Sequence, residues 1–476
     1  MTPFTFPSRL SRTVAMTAAI LSLWGCAVGP LPIASARQDA DPGTRAVTPA
    51  KAWLEGAVLY GVVPPLFGHR PFQDVAAKVP YLKEMGVDAV WLSPINATDD
   101  PSGISYAVTD YFDVREDFGT KADFKRMVDA SHRAGIKVLM DFVPNHSSTG
   151  HPFYQDAEKR GPASPYFGFY VRDEEGRAQH YFDWENLKNL DFDNPAVQQH
   201  VTDAFVFWVK EMGVDGFRID AAWGVKDRTP AYWSKLCQTL NAINPEVFLL
   251  AEASARDPYY VKNGFDAAYD WNKQLGHWSW EKVWEEPNQA GARLRQALAG
   301  KETPPERIAR FLNNNDTGER FITRYGVAQQ RVAAVLLHTL PGIPVVYTGD
   351  EVGAEFEPYE DPAPISWEDP HGLRPLYKRL AELREKVPAL RAGHWSEVKV
   401  DAPGAYAFVR DAGERGSALT MLNFGQAATI RFTLPQGLAT DARFTDAITG
   451  KPVPVKAGPQ GLSVAMPAAS ALILTP

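Results

Sequence analysis

Cysteine is almost missing from this 476-residue chain, with Cys26 and Cys237 the only two. Cys26 falls in an N-terminal leader expected to be processed at or beyond it, so no disulfide can close within the remaining chain and stability must come from a packed core. Basic charge is in deficit: 49 Lys and Arg stand against 57 Asp and Glu, a formal net charge of −8, and no basic run could neutralise a phosphate backbone. That balance excludes nucleic acid as a partner. Long apolar runs are also wanting. The apolar stretch Val14 to Trp24 is too short to read as a membrane span. Nothing like G-x-G-x-x-G follows the first strand-like run, which disfavours an open doubly wound sheet. Internal repeats are missing too, and the only biased segment is the Ala- and Pro-containing leader up to about Pro49.

Within that leader Arg9 and Arg12 precede the apolar stretch, the build of a secretory signal, so residues 1–49 are expected to direct export. Two processing sites fit. Leu23-Trp24-Gly25-Cys26 resembles a lipobox and would anchor the chain to a membrane through a lipidated Cys26, whereas Ala34-Ser35-Ala36 suits an ordinary signal peptidase. The protein would then be periplasmic, anchored at the outer membrane or extracellular.

What is abundant is aromatic: 13 Trp, 17 Tyr and 25 Phe, rings that fill cores and also pack against the C–H faces of sugars. From residue 50 onward, apolar runs alternate with amphipathic helical patterns. The runs are Ala57–Val63, Ala89–Pro94, Lys137–Val143, Gly216–Asp220, Val247–Glu252, Asp266–Trp271, Ile308–Asn314 and Pro344–Glu351. Eight strand–helix units predict a (β/α)8 TIM barrel over residues 50–390. The connection after the third run, residues 147–194, is far longer than a barrel loop requires and reads as an inserted subdomain walling one side of the C-terminal face. Residues 391–476 replace the helical pattern with short β-like runs between Gly and Pro turns, predicting a C-terminal antiparallel β-sandwich domain.

The chain is organised around Gly213 to Trp223, G-V-D-G-F-R-I-D-A-A-W. Arg218 and Asp220 share one face of a strand, because side chains alternate with period two. The arginine is expected to keep Asp220 ionised, as a carboxylate nucleophile requires. A structural ion pair is the competing reading. Glu252 follows four apolar residues, where burial should raise its pKa and favour the protonated form; an ionised Asp with a protonated Glu makes the nucleophile and acid of a retaining glycosidase. Asp316 ends the seventh run at the same barrel face. The third run ends D-F-V-P-N-H, residues 141–146, either a structural corner or a polar cluster for a hydroxyl-rich ligand. Trp271, Trp278, Trp280 and Trp284 either form a sugar platform or pack helices onto the barrel, and packing is expected for at least half. Asp350 and Glu351 read as structural, and Cys237 as core.

In order and spacing, D-F-V-P-N-H (141–146), G-F-R-I-D (216–220), L-L-A-E (249–252) and F-L-N-N-N-D (311–316) resemble the motifs of the α-amylase family, glycoside hydrolase family 13. Softer matches are Y-A-V-T-D-Y (106–111), L-K-N-L-D-F-D-N-P (187–195) and L-P-G-I-P-V-V-Y-T-G-D-E (340–351). The resemblance spans residue 52 to the end. It implies a retaining hydrolase of α-1,4-linked glucans or maltooligosaccharides, or a glucanotransferase or α-glucosidase on the same machinery. A non-catalytic glucan-binding barrel is the remaining alternative. It further implies Asp220 as nucleophile, Glu252 as acid and base, and Asp316 as the group holding the distorted sugar's hydroxyls. Arg218 would orient Asp220, Tyr106 would stack beneath the sugar, and His146 would bind its hydroxyls. Two departures stand out. Asn315 occupies the place of a histidine, and Trp223-Gly224 the place of Lys-His, where a lysine would meet leaving-side sugar. With the second change the family's calcium site, which would include Asn145, loses a backbone ligand; no metal or cofactor is expected to be required.

Overall fold

The computed structural model describes residues 51–272, 276–300, 303–360, 363–435, 443–459 and 461–476. Both processing sites of the leader lie outside them. Eight parallel strands close into a barrel: β1 (Leu59–Val62), β2 (Ala89–Leu92), β3 (Lys137–Phe142), β4 (Gly216–Ile219), β5 (Phe248–Ser254), β6 (Ala267–Tyr269), β7 (Ile308–Phe311) and β8 (Ile343–Tyr347). Each coincides with one of the eight apolar runs, β5 extending past its run to Ser254 and β8 beginning one residue early at Ile343, and neighbours in the ring follow chain order, β8 closing on β1.

Alternation along the strands sorts side chains into two cores. Leu59, Trp91, Leu139, Phe248, Leu250, Tyr269, Phe311 and Val345 pack together inside the barrel, while their neighbours in sequence, such as Val138, Phe217, Ile219 and Leu249, face the helices. This is the filled interior of a parallel barrel rather than a pore. Gly216 is demanded by closeness: a Cβ there would sit 2.1 Å from the Phe248 carbonyl on the adjacent strand.

Helix starts follow capping chemistry. Thr120 and Asp123 form a reciprocal capping box ahead of Lys121–Arg133, and Asn194 caps Pro195–Phe207 with proline at the first position. The latter helix ends in a π-turn, Trp208–Met212, closed by left-handed Gly213, which feeds the chain into β4. Between β3 and that helix the inserted segment builds a three-stranded antiparallel sheet from His146–Ser148, Trp184–Asn189 and His180–Tyr181.

The C-terminal strands form a nine-stranded antiparallel order in which His394–Val400 pairs with Ala405–Asp411 along one half and with Ala428–Thr433 along the other. One apolar cluster draws on both halves, including Val409, Met421, Phe432 and Val464. Among the described residues no helix is long and apolar enough to cross a membrane.

Candidate active site

Arg218, on β4, is the hub. Its side chain is 1% exposed and meets four carboxylates: Asp141 at 2.9 Å, Asp220 at 3.0 Å, Glu252 at 2.9 Å and Asp316 at 3.9 Å. Strand register makes the first of these contacts, since Asp141 and Arg218 are paired positions of β3 and β4. The Tyr269 hydroxyl accepts from Arg218 Nε at 3.0 Å and fixes the plane of the guanidinium. All of these side chains lie at the C-terminal ends of strands or in the loops just beyond them, the face where barrel enzymes place their chemistry.

Asp220 Oδ1 accepts from Arg218, while its Oδ2 is buried and has no hydrogen-bond partner among the described residues. One oxygen is therefore oriented and the other is left with its lone pairs available. The next residue, Ala221, adopts a left-handed backbone (φ 43°) unusual for a residue with a Cβ. That turn aims its N–H at Glu252 Oε2, 2.6 Å away. Such strained positions collect at functional sites because the surroundings force them.

Burial dominates the titration of this cluster. It pushes Asp220 and Asp141 each up to about 7 against the opposing pull of Arg218, and it carries Glu252 well above the carboxylate range. The expectation that Arg218 holds Asp220 ionised by itself needs correction, because one positive charge is divided among four carboxylates. The cluster titrates as a unit, and at neutral pH its most firmly held proton belongs on Glu252.

Asp316 faces outward, its side chain 37% exposed, and the Tyr359 hydroxyl donates to its Oδ1 at 3.1 Å. Asn315 is buried and engaged: its Nδ2 donates to the Tyr106 hydroxyl at 2.5 Å, and its Oδ1 accepts from the Tyr347 hydroxyl. Tyr106 in turn donates to Asp141 Oδ2 at 3.2 Å. Tyr347, Asn315, Tyr106 and Asp141 are thus one hydrogen-bonded chain along the Asp316 flank. His146 is fully buried, its pKa lowered to about 3 chiefly by desolvation, and its neutral ring stacks on Tyr181 with centroids 4.6 Å apart. Trp223 lies on the helix Ala222–Arg228 with its ring 5.5 Å from Phe182 and 6.0 Å from Tyr181.

All eight residues expected from sequence therefore converge on or beside one cluster. Asp141 was read only as part of the D-F-V-P-N-H corner or polar cluster, while Trp91, which donates to Asp141 Oδ2 at 3.3 Å, and Tyr269, Tyr347, Tyr359 and Tyr181 were missed. Asp141 carried a readable signal, a carboxylate at the end of an apolar run, but its register with Arg218 did not show. The tryptophan series resolves as packing: Trp271, Trp280 and Trp284 are buried, and Trp284 lies 5.0 Å from Phe424 of the C-terminal domain. Cys237 is buried, Asp350 pairs with Arg320, and Glu351 accepts from Tyr60 and Tyr81.

Asn145, which matches a calcium ligand of the family or else a hydrogen-bonding corner, is engaged within the protein. Asn145 Oδ1 accepts from Arg228 Nη2 at 2.7 Å, and Nδ2 turns to Asn189 at 3.3 Å. A Cβ on Gly224 would fall 2.4 Å from the same Oδ1, so glycine is required there. The oxygen that would face a cation already faces a guanidinium, and these residues do not fit a calcium ion.

Comparison with known proteins agrees with the geometry. The family model described as Alpha amylase, catalytic domain, matches residues 70–399. The chain is 32% identical over 432 residues to Alpha-amylase MalA of Haloarcula japonica, covering 84% of this chain but only 59% of that protein. It is 30% identical to the 4-alpha-glucanotransferase of Thermotoga neapolitana over 59% of this chain and 67% of that one. An Anoxybacillus alpha-amylase structure superposes with a TM-score of 0.74 at 24% identity, covering 89% of this chain and 98% of that chain, and so shares the fold.

Proposed function

The chain belongs to the α-amylase family of glycoside hydrolases, and on that premise we propose that it cleaves α-1,4-glucosidic bonds in starch-type glucans or maltooligosaccharides with retention of configuration. The observation that carries the reading is Asp220: one oxygen is held by Arg218, while the other is buried and unpartnered beside a carboxyl group that favours its proton. Asp220 Oδ2 attacks the anomeric carbon as Glu252 passes its proton to the departing glycosidic oxygen, leaving a glycosyl ester on Asp220. Glu252, now a carboxylate, takes a proton from water; the water oxygen bonds to the anomeric carbon and the Asp220 carboxylate leaves. Anchoring both carboxyl groups on one guanidinium suits the short separation, about 5 Å, of retaining enzymes. Asp316, on the outer side, is placed to accept from sugar hydroxyls whose bonds strengthen as positive charge develops.

A time course of products from maltoheptaose and soluble starch, with wild type and Glu252→Gln in parallel, tests this. Shorter maltooligosaccharides from wild type alone are expected, and no products from wild type would reject it. Resolution of the ester by a sugar hydroxyl is the second reading, favoured by the likeness to the 4-alpha-glucanotransferase of Thermotoga neapolitana; products longer than the starting sugar would establish it. The proposal extends to export, on the strength of Arg9, Arg12 and the apolar stretch that follows. Sequencing the N-terminus of the cell-fractionated protein tests that part.

A further inference from the structure

Asn315 and Asp316 are neighbours in the loop beyond β7, yet they differ sharply in exposure. The Asp316 side chain is 37% exposed, whereas Asn315 is 2% exposed. An amide has a donor end and an acceptor end, and at Asn315 the protein occupies both. Its Oδ1 accepts from the Tyr347 hydroxyl, and its Nδ2 donates to the Tyr106 hydroxyl at 2.5 Å. These bonds run in one direction. The single hydrogen of Tyr106 goes on to Asp141 Oδ2 at 3.2 Å, so the Tyr106 oxygen must be approached by a donor, and the amide supplies it. An amide cannot exchange its donor for its acceptor without turning over, and the Tyr347 hydroxyl on its oxygen opposes that turn. Tyr106 is thereby held as a donor to Asp141.

Asp141 is fully buried and receives three hydrogen bonds. Arg218 Nη1 donates to Oδ1 at 2.9 Å, while Trp91 Nε1 at 3.3 Å and Tyr106 at 3.2 Å donate to Oδ2. Bonds received by a carboxylate favour its charged form. The charged groups facing it are Arg218 and Asp220 at the end of β4 and Glu252 on β5, with the phenols of Tyr106, Tyr269 and Tyr347 around them. Arg218 offers one nitrogen, Nη1, to both Asp141 Oδ1 and Asp220 Oδ1, at 2.9 and 3.0 Å. Whatever holds Asp141 as a carboxylate therefore decides how much of the guanidinium is left to Asp220 and how strongly Asp220 is repelled.

We propose that Asn315 is a positioning residue for the nucleophile: by holding the Tyr106 hydroxyl on Asp141 it fixes how Arg218 is shared between Asp141 and Asp220, and it makes no contact of its own with the sugar. This rests on the glycosidase reading above. Without the Asn315 amide the Tyr106 hydroxyl is free to turn away, Asp141 loses a donor, and it keeps its proton to higher pH. A neutral Asp141 neither repels Asp220 nor draws on Arg218, so Asp220 ionises at lower pH.

The test is the pH profile of kcat/KM for maltoheptaose in Asn315→Ala, Tyr106→Phe and the double variant. In Asn315→Ala the acid limb is expected to move down by about half a unit or more, with kcat reduced and KM changed less than about twofold. Tyr106→Phe keeps the ring and should give the same shift, and the double variant should add nothing to it, because the amide acts through that hydroxyl. An unmoved limb, or losses that add in the double variant, would overturn the positioning role and leave the glycosidase reading standing. Carbon-13 titration of the aspartate carboxyls in the full chain, with Asp141→Asn identifying the Asp141 signal, reads the same device with no substrate present. A higher Asp141 midpoint in Asn315→Ala supports the proposal even if wild type turns over no glucan, an outcome that would reject the glycosidase reading alone. An unchanged midpoint would overturn the proposal.

Discussion

The two flanks of the carboxylate cluster are both aromatic, yet they are built on opposite principles. On the Asp316 flank every ring identified carries a hydroxyl and spends it on the protein: Tyr347 to Asn315, Tyr106 to Asp141, Tyr359 to Asp316. On the side of the inserted hairpin Phe182, Trp184 and Trp223 touch one another and the Tyr181 ring through their faces and edges. A hydrogen-bonded wall fixes geometry, because removing one partner leaves a buried polar group unsatisfied. A wall of half-exposed rings fixes little and supplies contact area.

The centre shared by both flanks should be the least tolerant position. Asp220→Asn is expected to lower kcat by about four orders of magnitude or more, as loss of a covalent nucleophile does; reducing-sugar release from maltoheptaose measures it, and near-wild-type turnover would dismiss the assigned mechanism. On the hydrogen-bonded flank, Asn315→Ala strands the Tyr347 hydroxyl and removes the donor that holds Tyr106 against Asp141. With about 1–3 kcal/mol per unsatisfied buried group, kcat should drop roughly tenfold to a hundredfold. On the other flank, Trp184→Ala alone should mostly raise KM, by about threefold to tenfold, from the loss of one stacking face. Equal effects on kcat and KM from both flanks would erase the distinction.

Titration sharpens the same contrast. Catalysis needs Asp220 ionised and Glu252 protonated, so kcat/KM should rise with pH as Asp220 loses its proton near 7 and fall again as Glu252, held well above the carboxylate range, loses its own. With α-maltosyl fluoride, which needs no proton on its leaving group, the alkaline limb should vanish in Glu252→Gln while the acid limb stays. Stability runs the other way from the usual carboxylate. Asp141 and Asp220 titrate at about 7 in the fold, against about 4 in an unfolded chain. The folded state therefore binds more protons than the unfolded one, and stability falls as pH rises from about 4 through about 7. Asp220→Asn should accordingly raise Tm by a few degrees at pH 8 and by little at pH 5.

The smallest effect concerns the hinge of the aromatic flank. Arg228 ties Asn145, just beyond β3, to the helix that presents Trp223. A chelator should leave the wild-type Tm unchanged, whereas Arg228→Gln should lower it by roughly 1–3 °C, since a single charge-assisted hydrogen bond is lost from a large chain. A fall in the wild-type Tm on chelation would show that a metal contributes at a place the guanidinium does not fill.

Legibility in the sequence followed the range of the interactions. Arg218 and Asp220 could be placed on one strand face because alternation is local, and Glu252 could be assigned a raised pKa because its burial is declared by the four apolar residues before it. Aromatic residues could not be sorted where context was distant. Packing was expected for at least half of Trp271, Trp278, Trp280 and Trp284, and Trp271, Trp280 and Trp284 are buried, whereas Phe182 and Trp184 lay unremarked in a loop-rich insertion and form the exposed cluster. Nothing local separates these cases, since what covers a ring is decided by elements remote in the chain, as Phe424 covers Trp284.

From its sequence alone, then, this protein is a parallel barrel with an insertion after β3, a β domain at the C-terminus and carboxylates at three strand ends, because strand period, helix caps and motif spacing act over a few residues at a time. Only tertiary structure decided that one guanidinium serves four carboxylates, that Asn315 is clasped by two tyrosines, that Arg228 fills the corner at Asn145, and that the hairpin tip meets Trp223. Those contacts join residues as far apart as 209 positions, Tyr106 to Asn315. They exist only once the barrel has closed and brought the ends of its strands to a common face.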